Sequence, residues 1–186
     1  MKEAVQEAKE VLNKGGVIIY PTDTIPGIGC LANDDHAVER IFEIKKRPNH
    51  KALICLFKDW EQVAAYFPDL PVIPQEIIEA ERPTSIILDN VQNISHKLLG
   101  GGNSLAIRIP KNEFCQALLK EVNTPIVSTS ANISNEETVH YIKDVNPDIL
   151  VQIDYVVSLP TEISEPIRPS KIVRITLNGE IQTIRD

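Results

Sequence analysis

The chain has 186 residues, 42% of them apolar and 24% charged, with a formal net charge of −7. That length and composition suit one compact domain over residues 1–186 with its own core, and they exclude wholesale disorder. The acidic excess has the wrong sign for a protein that coats nucleic acid, and no apolar run nears the ~18–20 residues that span a bilayer.

Residues 3–13 place Val5, Ala8, Val11 and Leu12 on one helical face, and Gly15-Gly16 stop the helix. Val17-Ile18-Ile19-Tyr20 is a continuous apolar strand of the kind buried on both faces. A polar, glycine-containing loop is expected over residues 21–30. Asp34 or Asp35 caps the next helix, which turns Ala37, Val38, Ile41 and Phe42 inward and ends in Lys45-Lys46-Arg47-Pro48. Residues 52–57 read as a second buried strand, and residues 60–66 and 74–80 as short helices separated by prolines. Strand-sized apolar runs follow at 85–88, 105–109 and 126–128, with a helix over 113–121. Residues 138–145 predict a further short helix and residues 155–159 a further strand. The runs 171–177 and 180–185 flank Asn178-Gly179, the dipeptide of a type I′ hairpin turn. Helix-separated strands combined with a hairpin predict a mixed α/β sheet.

Cys30, Cys55 and Cys115 are odd in number, far apart and set among apolar neighbours. They read as buried packing, with neither a disulfide framework nor a zinc site. With no signal peptide visible at the N-terminus, this predicts a reducing, cytoplasmic setting. The four histidines make no HxxH or HExxH pattern, and no GxSxG elbow is present, so neither a metal cage nor a hydrolase triad is expected.

Four polar constellations fall at the ends of predicted strands, where α/β sheets present ligand sites. The first, Pro21-Thr22-Asp23-Thr24-Ile25-Pro26-Gly27-Ile28-Gly29, reads as a proline-glycine turn or as a ligand loop; it has no Walker A lysine. The second, Lys45-Lys46-Arg47-Pro48-Asn49-His50-Lys51, reads as a solvated helix end or as a polyphosphate clamp. The third, Ser128-Thr129-Ser130-Ala131-Asn132-Ile133-Ser134, reads as a capped strand-to-helix turn or as a dense donor set. The fourth is Arg108 in an apolar strand, where a cation must be paired or must bind an anionic ligand.

The order of these pieces, with Leu105-Ala106-Ile107-Arg108-x-Pro110 and Pro169-Ser170-x-Ile172-Val173, resembles the YrdC family of threonylcarbamoyl-AMP synthases from about Val17 onward. The resemblance implies a twisted, open, mixed α/β sheet with flanking helices and a large positively charged cavity. It implies synthesis of threonylcarbamoyl-AMP and pyrophosphate from L-threonine, bicarbonate and ATP, with Mg²⁺ carried by the nucleotide. The product would serve tRNA modification through downstream threonylcarbamoyl-transfer proteins, and weak RNA binding is also implied. Lys45, Arg47, Ser130 and Asn132 match the family's signature catalytic set. Arg47, Lys51, Ser104, Ser128, Ser130 and Arg185 fall at ATP-contacting positions, and Thr24, Arg108 and Ser170 at threonine-contacting ones.

The sequence departs from the family pattern at Pro26, at residues 81–85, at Asn135 and across residues 161–168. Those departures leave a second expectation open, a YrdC-like module that binds RNA or nucleotide without turnover. A third, a carbamoyl-adenylate former like the YrdC-like domain of HypF proteins, is disfavoured by the lack of zinc-finger cysteines.

Overall fold

The computed structural model describes residues 1–48, 52–158 and 169–186. Helix α1 (Lys2–Asn13) buries Ala4, Val5, Ala8 and Leu12 along one stripe. It closes as its spacing predicts: Gly15, at φ +77°, and Gly16 return their N–H groups to Leu12 and Val11. This is a Schellman stop, with glycine in the left-handed position that side chains resist. Strand β1 (Ile18–Tyr20) is buried throughout.

The next strand, β2 (Gly27–Gly29), corrects the expectation of a ten-residue loop. It pairs antiparallel with β1 and with β6 (Ile126–Ser130). Three residues containing two glycines carry no strand periodicity; the pairing partners impose the strand. Gly29 is there because the backbones close in. A Cβ on it would meet the Val127 carbonyl oxygen at 2.2 Å and Tyr20 Cε1 at 2.8 Å. Gly29→Ala is therefore expected to cost about 2–3 kcal/mol of stability, read from the denaturant midpoint. A loss within measurement error would contradict that close packing.

Asp34 caps α2 (Asp35–Ile44) by accepting from the N–H groups of His36 and Ala37. Strand β3 (Ile54–Leu56), α3 (Trp60–Tyr66), the single turn α4 (Gln75–Ile78), β4 (Thr84–Asp89), β5 (Ser104–Arg108) and α5 (Glu113–Val122) follow, and β6 comes after them. The helix predicted over 138–145 is only a 3₁₀ turn at Ile142–Asp144. Tyr141 and Val145 on either side take extended backbone, and Val145 is buried in the core. The turn α6 (Pro147–Leu150) starts on a proline, a ring suited to a first helical turn. Strand β7 spans Tyr155–Val156; the end of its predicted run, at residue 159, lies outside the described residues.

The chain ends in β8 (Lys171–Ile175) and β9 (Ile181–Arg185). Their turn is not type I′. Gly179 has φ +82° while Asn178 does not reach positive φ, and the Gly179 N–H bonds back to Thr176 at 2.9 Å. A three-residue loop of this kind needs left-handed backbone only at its last position.

Among the described residues nine strands form one sheet in the order β7-β1-β2-β6-β3-β5-β4-β8-β9. Parallel pairs (β1–β7, β3–β5, β4–β8) mix with antiparallel ones, as the strand–helix pattern predicts. One face carries the larger core, built on Ile19, Cys55, Ile86, Ile107, Val127 and Val173 beneath α2 and α3. On the other face α1 and α5 cover Ile18, Tyr20, Leu56 and Ile126. All three cysteines are buried and unlinked, as their apolar neighbours predict. Among the described residues no helix is long and apolar enough to cross a membrane.

Candidate active site

The face that carries α1 and α5 is the one on which a cavity of about 390 Å³ opens, lined from β2, β3, β4, β5, β6, β8 and β9. Strand alternation decides what it meets. Leu105 and Ile107 point into the larger core, so Ala106 and Arg108 point the other way. Ile54 and Ile87 stand directly opposite Ala106 on the neighbouring strands and complete an apolar floor.

Arg108 stands at the carboxyl end of that floor, only 6% exposed. Its Nη1 donates to Thr24 Oγ1 at 3.2 Å, and its Nη2 lies 3.4 Å from Asp23 Oδ1. Of the open choice between a paired and a ligand-binding cation, the structure shows the pairing. Arg108 lines the cavity and has a carboxylate behind it. Asp23 is in turn fixed by the Lys111 N–H at 3.1 Å. Sequence reasoning passed over Asp23; its signal was a lone acid between two threonines beside an expected anion site.

Thr24 and Ser170 reach the same cavity, both nearly buried. Ser128, Ser130, Arg47 and Arg185 also line it, and among the described lining residues none is a carboxylate. Arg185 Nε and Nη2 both hold the Ser170 carbonyl, at 3.2 and 2.8 Å, which fixes the corner where β8 begins. Arg47 Nη2 donates to the Ala52 carbonyl at 2.8 Å.

Other expected residues lie elsewhere. Ser104 shares a strand face with Arg108 but sits at the far end of β5, opposite Asp89, outside the lining. Lys51 lies outside the described residues. Lys45 and Asn132 belong to the wall's foundation rather than its surface. At the end of α2, Lys46 takes left-handed backbone (φ +48°) and Arg47 N–H returns to Phe42. This turn sends Arg47 toward the cavity and buries Lys45, 1% exposed, beneath the turn after β6. There Lys45 Nζ donates to the carbonyls of Ser130 and Asn132. Burial, helped by the charge of Arg47, pushes the Lys45 ammonium down to about 7. The Asn132 amide donates to the carbonyls of Ile133 and Glu136, at 2.9 and 3.0 Å.

Chemically, the cavity offers three guanidinium groups, several small hydroxyls and an apolar floor. That set can bind a phosphorylated ligand together with a small carboxylate.

The sequence model of the Sua5, YciO and YrdC proteins, described as "Telomere recombination", matches residues 10–186. The threonylcarbamoyl-AMP synthase of Acinetobacter baumannii is 33% identical over 186 residues, covering 96% of each chain. P. abyssi Sua5, solved in complex with L-threonine, superposes with a TM-score of 0.78 at 27% identity; the match covers 91% of this chain and 50% of that one. E. coli YciO superposes with a TM-score of 0.80 over 100% of this chain and 90% of its own, at 22% identity, a likeness of fold.

Proposed function

The chain belongs to the Sua5/YciO/YrdC family, and from that premise we propose that it is an L-threonylcarbamoyladenylate synthase, a single-domain nucleotidyltransferase. It joins L-threonine, bicarbonate and ATP into threonylcarbamoyl-AMP and releases pyrophosphate. The observation that carries this reading is the convergence of Arg108, Thr24 and Ser170 with Arg47, Ser128 and Ser130 on one cavity.

Threonine brings a carboxylate, for which Arg108 is the buried guanidinium partner. Its amine, freed of the extra ammonium proton, attacks the carbon of bicarbonate; a C–N bond forms, the C–OH bond breaks, and the hydroxyl leaves as water with a proton from the attacking nitrogen, giving the carbamate. A carbamate oxygen then attacks the α-phosphorus of ATP, and the bond to the bridging oxygen of pyrophosphate breaks. Transfers of this kind need positioning and charge stabilisation rather than a protein nucleophile. Arg47, Ser128, Ser130 and Arg185 supply the donors for the phosphates, and Lys51 extends the set. Lys45 and Asn132 act through the backbone they hold. With no carboxylate among the described lining residues, the donor set suits an Mg²⁺ that arrives on the polyphosphate and neutralises part of its charge.

The product is a mixed anhydride, activated for transfer to an amine. A downstream transfer protein acting on tRNA in the cytoplasm is its consumer in this reading. The test is product identity. Incubation with ATP, L-threonine and ¹³C-bicarbonate yields an adenylate carrying one labelled carbon, seen by mass spectrometry. An adenylate without the label, or none at all from protein that binds ATP, overturns the reading.

A further inference from the structure

A hydroxyl has one hydrogen and two lone pairs, so a hydroxyl network that is buried or half-buried can be solved for which atom donates. Thr22 Oγ1 lies 2.8 Å from the Ile25 carbonyl, accepts the Thr24 N–H at 3.0 Å, and lies 3.0 Å from Thr24 Oγ1. A carbonyl only accepts, so the Thr22 hydrogen goes to Ile25, and the Thr24 hydroxyl must donate to Thr22. Thr24 Oγ1 also accepts from Arg108 Nη1 at 3.2 Å. Its hydrogen is used, and one lone pair is left for the cavity it lines.

Ser170 has the opposite polarity. Its Oγ lies 3.0 Å from Oγ of Ser85, a residue with no exposure. Among the described residues Ser85 Oγ has no other acceptor, so donation from Ser170 would strand the Ser85 hydrogen in the core; Ser85 is the donor. Arg185 Nη2, which can only donate, faces the same Ser170 oxygen at 3.4 Å. Both lone pairs of Ser170 are approached by donors, which leaves its own hydrogen for the cavity.

We propose that Thr22 and Ser85, neither of which lines the cavity, are positioning residues that set the polarity of the amino-acid site: Thr24 an acceptor only, Ser170 a donor. The proposal rests on the reading of the cavity given above. A zwitterion then has one orientation, its ammonium at Thr24 and its carboxylate at Ser170 and Arg108. The polarity also serves the chemistry. An amine held through its N–H keeps its lone pair for the carbon of bicarbonate, whereas a donating hydroxyl at Thr24 would occupy that lone pair.

The experiment is calorimetric binding of L-threonine, of its analogue L-threo-2,3-dihydroxybutyrate (a hydroxyl in place of the ammonium) and of ATP. Thr22→Val frees the Thr24 hydrogen and is expected to weaken threonine about tenfold, the worth of one buried hydrogen bond. The dihydroxy analogue, whose hydroxyl adapts to either polarity, is expected to lose less than about twofold. Thr22→Ser restores threonine binding. Ser85→Ala is expected to weaken threonine about fivefold alone and to have no further effect once Ser170 is alanine, the signature of action through Ser170. ATP binding stays within about twofold throughout. Equal losses for threonine and the analogue, additivity of Ser85→Ala with Ser170→Ala, or parallel loss of ATP would overturn the assignment. Failure of the unaltered protein to bind threonine would overturn the functional reading beneath it.

Discussion

Arg108→Ala is expected to weaken L-threonine binding about 100-fold or more while ATP affinity changes little, because a buried, two-pronged contact to a carboxylate is worth roughly 3 kcal/mol. The separation is the informative part. Arg108 is on β5 beside Thr24, whereas the residues assigned to the phosphates approach from the end of α2, from β6 and from β9. Stability falls as well. Removing the guanidinium leaves Asp23, 12% exposed, without its charge partner, and breaking a buried pair on one side costs about 3–5 kcal/mol. Combining Arg108→Ala with Asp23→Asn removes the orphaned charge, so the double variant recovers stability without recovering threonine. Titration of each ligand with a parallel melting curve reads both effects. Equal loss of ATP and threonine in a folded variant would contradict the role given to Arg108.

Lys45→Met keeps the volume and removes the donor. The carbonyls of Ser130 and Asn132 lose their partner, at a cost of about 2–3 kcal/mol, and the turn that carries Ser130 relaxes. ATP affinity is expected to fall about tenfold as a result, since a donor moved by a fraction of an ångström no longer meets the phosphate. The same variant alters the dependence of stability on pH. The folded ammonium titrates at about 7, well below its ordinary value. As pH rises above 7 the folded chain sheds a proton that the unfolded chain retains, so stability rises with pH; falling pH removes that gain. The buried thiols of Cys30, Cys55 and Cys115, whose titration burial pushes up, act the other way above about 8.5. The informative window therefore lies between about pH 7 and 8.5. There the unaltered protein gains stability and Lys45→Met stays flat, as denaturant midpoints will read. The same slope in both proteins would contradict the burial of Lys45 as the cause.

Much of this could be read before the structure. Apolar runs locate β1, β3, β4, β5 and β6 because buried strands need unbroken hydrophobicity. The glycines after α1 and the aspartate before α2 act locally, so their signals survive in the sequence. Strand β2 could not be found that way, since Gly-Ile-Gly becomes a strand only between β1 and β6. The helix expected over 138–145 failed for the complementary reason: its apolar residues are spent on packing around an extended backbone. At the site, the hydroxyl motifs and Arg108 stood out by type. The groups behind them did not. Asp23 and Ser85 act through partners 85 residues away, Arg108 and Ser170, and Thr22 acts through Thr24 by a side-chain bond that residue type alone does not announce. Lys45 reads as part of a solvated cationic run. Only the left-handed turn at Lys46 reveals that this run divides, one cation going under the wall and one toward the cavity.

Pyrophosphate release from ATP, followed with and without L-threonine and bicarbonate, tests the central claim most directly. The account predicts release that requires both, and that is lost in Arg108→Ala at threonine concentrations saturating for the unaltered protein. A folded protein that binds ATP yet releases pyrophosphate without threonine, or releases none with it, would contradict the account.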